Sequence, residues 1–96
     1  MKIRFLATAA PDLLWFKTYY MRRFPEGRRN ADTQFLKVKA LLVANPFLGH
    51  PVENVDGARA YPVSRTPFSF IYRVKGDTIE VLRVLDGRSA DSSEYT

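Results

Sequence analysis

Two runs rich in β-branched and aromatic side chains dominate the C-terminal part of this chain. They are Phe68-Ser69-Phe70-Ile71-Tyr72-Arg73-Val74 and Ile79-Glu80-Val81-Leu82-Arg83-Val84-Leu85, separated by Lys75-Gly76-Asp77-Thr78. Runs of this kind around a short turn predict an antiparallel hairpin. Gly76-Asp77 supplies turn chemistry, although not in the favoured Asp-Gly order. Arginine interrupts both runs, at Arg73 and Arg83; Arg65 stands before them and Arg88 after. A core strand has no need of a guanidinium, so some of these arginines are expected to face a partner.

The rest of the chain supplies the elements that this hairpin packs against. Ile3 and Phe5 alternate with polar neighbours between Lys2 and Leu6, a short strand signal. Pro11 suits the first turn of a helix, where its missing N–H costs nothing. Leu13, Phe16, Tyr20 and Phe24 then recur at helical spacing until Pro25 and Gly27 end the pattern. A second stripe follows, Ala31, Phe35, Val38 and Leu42, with Asn30 or Asp32 expected as its cap and Asn45-Pro46 as its end. Residues Pro46 to Gly57 read as loop, and Arg59 to Val63 as a short strand. The first strand is expected to pair beside the hairpin.

The predicted architecture is α+β: an N-terminal strand, an antiparallel helical hairpin, then a three-stranded antiparallel sheet. At 96 residues the chain is expected to form one domain over 1–96. Ser89 to Thr96 is small and polar and reads as a loosely ordered tail.

Composition removes several kinds of chemistry. There is no cysteine, hence no disulfide, thiolate ligand or cysteine nucleophile. The single histidine, His50, lies in a Gly-His-Pro loop and reads as a turn residue. No metal-ligand spacing, no Gly-rich phosphate loop and no supported triad is present. No cofactor is expected. No signal peptide or membrane span is expected either, which places the chain in the cytoplasm. The net charge is +5, and seven basic groups against two acidic ones fall in the first 30 residues. Such a field favours encounter with nucleic acid or acidic protein and does not choose between them.

By strand parity Arg73 falls with Ser69 and Ile71, and Arg83 with Ile79 and Val81. Each therefore interrupts a partly apolar face. Carboxylates such as Asp77, Glu80 or Asp86 are the candidate partners for them in a purely structural role. On the first helix Trp15 and Tyr19 lie off the Leu13–Phe16–Tyr20 stripe. They are placed to bury against the sheet or a partner protein.

Arg65-Thr66-Pro67-Phe68-Ser69-Phe70-Ile71-Tyr72-Arg73-Val74 and Asp77-x-Ile79-Glu80-Val81-Leu82-Arg83-Val84-Leu85-Asp86-Gly87-Arg88 resemble the C-terminal half of ParE-type toxins of the RelE/ParE superfamily. Ala40-Leu41-Leu42-x-x-Asn45-Pro46-x-x-Gly49-His50-Pro51 is similar to the end of their second helix. The resemblance implies a bacterial type II toxin–antitoxin module, with the toxin held inactive by a ParD-like antitoxin. Contact with operator DNA would then be indirect, through the antitoxin.

The superfamily divides by target. RelE-like members cleave ribosome-bound mRNA with arginines, lysines and a C-terminal tyrosine; ParE-like members poison DNA gyrase. Ser69 stands where a RelE-like strand commonly carries arginine, and Ala58-Arg59-Ala60-Tyr61 carries a single basic group. The resemblance therefore implies gyrase inhibition by protein contact, without a catalytic residue or metal. The residues assigned to the target are Arg65, Arg73, Arg83 and Arg88. Those assigned to the antitoxin are Trp15, Tyr19, Phe68, Phe70 and Tyr72. The rival assignments are an mRNA endonuclease built on Arg65, Arg73, Arg88 and Tyr95, and a decayed module that only binds antitoxin.

Overall fold

The computed structural model describes residues 1–88. The expectations for the tail and for Tyr95 lie outside the described residues. The elements run β1 (Lys2–Phe5), α1 (Ala10–Thr18), α2 (Arg28–Ala44), β2 (His50–Pro51), β3 (Ala58–Pro62), β4 (Phe68–Lys75) and β5 (Thr78–Asp86). The sheet has five strands in the order β1-β5-β4-β3-β2. The predicted hairpin is present as β4 and β5. Gly76 takes a left-handed φ of 61° and Asp77 does not, which is the II′ pattern with glycine first. That explains the order of the turn pair.

The sheet differs from the expected three antiparallel strands in two ways. β1 joins it parallel to β5, with Ile3 opposite Ile79 and Phe5 opposite Val81. The Pro46–Gly57 segment, read as loop, also contributes β2, paired with β3 at His50–Ala60 and Pro51–Arg59. Two residues with a proline are too few to show a strand period in sequence.

The helices bury one face of the sheet. Phe16, Tyr20, Ala31, Val38 and Leu42 pack with Phe68, Phe70, Tyr72, Ile79, Val81 and Val84. The second predicted stripe is therefore present, with Phe35 partly buried beside it. A smaller cluster forms on the other face from Val52, Ala58, Ala60, Ile71 and Leu85.

Two helix expectations are corrected. α2 starts at Arg28 after Gly27, with no side-chain cap, so neither Asn30 nor Asp32 caps it. Asp32 lies one turn inside, 3.7 Å from Arg28. Phe24, expected on the first stripe by its spacing, is 43% exposed. The chain widens to a π-turn over Tyr19–Arg23, closed by the Phe24 N–H on the Tyr19 carbonyl. That extra residue per turn rotates position 24 off the stripe.

Candidate functional site

β1 covers β5 only as far as Val81, which leaves the rest of that strand edge open. The chain leading into α1 closes it with side chains. Thr8 Oγ1 donates to the Leu82 carbonyl (2.7 Å), the Val84 N–H donates to Asp12 Oδ2 (3.0 Å), and Trp15 Nε1 donates to Asp86 Oδ2 (3.1 Å). Positions spaced by four and three on a helix meet positions spaced by two on a strand. Backbone groups that would otherwise invite another strand are thereby occupied.

A bulge sits on this edge. Ile71 pairs with Arg83 and Tyr72 with Val81, so Leu82 is the extra residue. The bulge corrects the parity expected for Arg83: Ile79 and Val81 face the helices, and after Leu82 it is Val84 that does so. Arg83 is turned to Asp12, where Nε and Nη2 bind the two carboxylate oxygens at 2.7 and 3.0 Å. Sequence reasoning missed Asp12. Its place after Pro11 reads as an ordinary acidic residue in the first turn of a helix, and nothing local ties it to position 83.

At the end of β5, Asp86 gathers the next group. Arg88 Nε and Nη2 donate to its two oxygens at 2.9 and 2.8 Å, and the Arg88 N–H adds a third bond at 3.0 Å. These bonds, helped by the Trp15 indole, hold the Asp86 carboxyl down at about 2 although burial opposes them. The same pairing raises the Arg88 pKa. The guanidinium lies 4.7 Å from the Tyr19 ring centre, and Tyr19 packs on Trp15 at 6.0 Å. Trp15, Tyr19, Arg23, Asp86 and Arg88 line an open depression of about 660 Å³. It has aromatic walls, a neutralised carboxylate floor and Arg23 on its rim, so it suits a flat or anionic group.

The other predicted arginines lie elsewhere. Arg73 Nε donates to Glu80 Oε1 at 2.8 Å, and Arg4 reaches Oε2 of the same carboxylate at 3.2 Å. The Arg73 hydrogen bond leads the causes that lower the Glu80 pKa. Arg65 is exposed on the turn before β4 with a left-handed φ of 61°. The four arginines thus occupy separate places. Three of them bind carboxylates: Glu80 and Asp86, named as candidates, and Asp12, which was not. Asp77, the other named candidate, accepts from Thr78 Oγ1 in the turn.

The aromatic assignments divide. Trp15 is 38% exposed and Tyr19 half-buried, and both border the depression. Phe68, Phe70 and Tyr72 are wholly buried beneath the helices. A partner cannot touch them without opening the core, so their assignment to antitoxin contact is corrected. Tyr72 has an internal use instead: its hydroxyl accepts from the Gly49 N–H and donates to the Pro46 carbonyl, both at 2.8 Å. Burial raises its pKa.

A further groove lies on the helices, about 410 Å³ in volume and lined by Leu13, Phe16, Asp32, Phe35 and Leu36. Leu14 and Leu36 are 67% and 63% exposed. Among the described residues no group of three or more His, Asp or Glu is placed to hold a metal ion. No helix among them is long and apolar enough to cross a membrane.

The family model for the ParE toxin of the type II toxin–antitoxin system, parDE, matches residues 3–90. A solved structure of a chromosomal ParDE toxin–antitoxin system from P. aeruginosa is similar, at 34% identity and a TM-score of 0.67. The match covers 88% of this chain and 92% of that one. No curated protein matches.

Proposed function

Since this chain belongs to the ParE toxins of type II toxin–antitoxin systems, we propose that it arrests growth by binding DNA gyrase directly and is neutralised by a ParD-like antitoxin. The observation that carries this reading is the state of its arginines. Cleavage of a phosphodiester needs cations converging on one open place, where charge develops in the transition state. Here Arg73 is bound to Glu80 and Arg88 to Asp86, and Ser69 stands where a strand arginine would add to them. The arrangement favours recognition over catalysis. On this reading Arg88 and the depression beside it meet the target in the cytoplasm; Trp15 and Tyr19, assigned to the antitoxin from sequence, join the target surface because they line that depression, and Arg65 is a peripheral contact.

The apolar groove between the helices takes the antitoxin. It offers Leu13, Phe35 and Leu36 to the apolar face of a partner helix, the mode in which small binding segments gain affinity. The basic character of the chain speeds that encounter with an acidic partner.

The test is induction of this chain alone in growing bacteria, with a DNA-damage reporter followed beside growth. Arrest with a strong reporter signal is expected. Arrest with a silent reporter would replace gyrase by the mRNA endonuclease assignment, and unimpaired growth would leave only an antitoxin-binding module. Arg88→Ala is expected to abolish the arrest while antitoxin affinity stays within about threefold. Arg88→Lys, which keeps the charge but loses the fork, controls for the pairing with Asp86.

A further inference from the structure

Four arginines on or beside the sheet differ in one respect from those at the junction of the helices. Arg4, Arg73, Arg83 and Arg88 each bind a carboxylate at 3.2 Å or less. Arg22, Arg23 and Arg29 are exposed and have no ion pair among the described residues, and Arg28 has only the long 3.7 Å contact to Asp32, itself exposed. These four lie within eight residues, on the π-turn that ends the first helical stretch and the first turn of α2. Only one acidic residue, Glu26, falls among them. With Lys17 they make five basic groups against one acidic between positions 17 and 29, in a chain whose net charge is +5. Positions 22–29 alone, on the junction of the helices, carry four basic groups against one acidic, a net +3 of the chain's +5. No acidic residue in the first turn of α2 offsets it.

We propose that this turn is a phosphate-backbone contact for duplex nucleic acid, adjoining the Asp86–Arg88 depression at Arg23. Three guanidiniums without an ion pair among the described residues, and a fourth with only a long exposed one, on one short segment are the chemistry that neutralises neighbouring phosphates without reading bases. Exposed Met21 and Phe24, at 52% and 43%, add apolar surface that lies against sugars as readily as against protein. An acidic protein segment is the other polyanion of suitable charge. Such a segment needs apolar anchors in pockets; the apolar groove lined by Leu13, Phe35 and Leu36 meets this turn only through the Asp32–Arg28 contact, and Arg22, Arg23 and Arg29 do not line it. Nor does a single exposed phenylalanine make the stacked ladder that a single strand uses. The contact is independent of sequence and dominated by charge.

The experiment is fluorescence anisotropy of a short random-sequence DNA duplex titrated with the full chain at several salt concentrations. If about four phosphates are neutralised, log affinity falls with log salt at a slope of about −3.6, and tripling the salt weakens binding about 50-fold. The triple variant Arg22→Gln, Arg23→Gln, Arg29→Gln is expected to flatten that slope by about 3 units. A control with the same loss of charge, Lys2→Gln, Lys37→Gln, Lys75→Gln, is expected to keep most of it; all three lysines are exposed and remote from the turn in sequence. Circular dichroism melts of both variants establish that each is folded. Equal loss in the two variants would overturn the proposal in favour of net charge alone. Poly-glutamate displacing the duplex at equal charge concentration would overturn it in favour of an acidic protein partner, and absence of binding at about 50 mM salt would overturn it outright.

Discussion

The Trp15 indole N–H donates to Asp86 Oδ2 over 3.1 Å, across 71 positions of sequence. It is the last rung of a side-chain ladder begun by Thr8 on Leu82 and continued by Asp12 on Val84. The first two rungs of the ladder occupy the Leu82 carbonyl and the Val84 N–H as a neighbouring strand would, and the third holds the Asp86 side chain. The ladder also fixes Trp15, one aromatic wall of the depression that borders Arg88. The edge of the sheet and the candidate site are thus one construction, and its parts can be tested separately.

Asp12 is its most demanding member. It binds the Arg83 guanidinium through two hydrogen bonds and the Val84 N–H through a third, with a side chain only 13% exposed. Asp12→Ala removes a two-bond acceptor of the partly buried Arg83 guanidinium and the side-chain acceptor of the Val84 N–H. The expected cost is about 2–4 kcal/mol in urea unfolding, with Asp12→Asn losing about half as much. The opened edge should also promote self-association, visible by size-exclusion chromatography. A loss below about 1 kcal/mol would show that water replaces Asp12 at no cost.

Asp86 gives a pH signature. Its carboxyl falls from an ordinary 3.8 to about 2 in the folded chain. The folded pKa is the lower one, so between these values the unfolded chain binds more protons and stability rises with pH. The contribution is fully present above about pH 3.8 and is lost as the pH falls through about 2. It amounts to about 2 kcal/mol. The difference in unfolding free energy between wild type and Asp86→Asn should therefore be constant near neutrality and shrink across that window. A difference that does not change with pH would mean that the Arg88 pairing contributes nothing through charge.

Periodicity carried the helices and the hairpin because each is set by local spacing. Phe16 and Tyr20 on one stripe, and Ala31, Val38 and Leu42 on the other, reach the core as their spacing requires. Phe24 does not, because one π-turn changes the rotation that the spacing assumes. The parallel docking of β1 on β5 depends on where the chain returns after more than 70 residues, and no local signal encodes that. In the candidate site, Trp15, Tyr19 and Arg88 stand out by residue type and position, the aromatics as antitoxin contacts and the arginine as a target contact, but that one depression holds all three is not legible from the sequence. Phe68, Phe70 and Tyr72 share the same aromatic chemistry, but their strand face is the covered one, and alternation alone does not tell a covered face from an open one. Ion pairing is the hardest part to read: Arg83 and Asp12 meet only through the tertiary fold and a one-residue bulge.

The loop after α2 depends on a close approach at Gly49. A Cβ there would stand 2.7 Å from the Tyr72 hydroxyl and 2.8 Å from the Ala60 carbonyl. One of these contacts is backbone and cannot swing away. Gly49→Ala is expected to cost about 1–3 kcal/mol by overpacking. Tyr72→Phe removes the acceptor of the Gly49 N–H and the donor to Pro46, and is expected to cost a similar amount. Removing the hydroxyl also relieves part of the clash. The double variant should therefore lose at least about 0.5 kcal/mol less than the two single losses together. Strict additivity in equilibrium unfolding would place the strain on the Ala60 carbonyl and on the Tyr72 ring carbon at 2.9 Å, which phenylalanine keeps.

Arg65 allows stability and toxicity to be moved in opposite directions. It holds a left-handed φ of 61°, a conformation that costs an L-residue about 1–2 kcal/mol, while glycine adopts it freely. Its side chain is exposed and makes no ion pair among the described residues, so little packing is lost on truncation. Arg65→Gly should raise the unfolding free energy by about 0.5–1 kcal/mol after the greater entropy of unfolded glycine is allowed for. If the guanidinium touches the target, growth arrest should weaken in the same variant despite its greater stability. Undiminished arrest, measured at matched expression, would remove Arg65 from the target surface and leave the Trp15–Tyr19–Arg88 depression as the part of that surface to pursue.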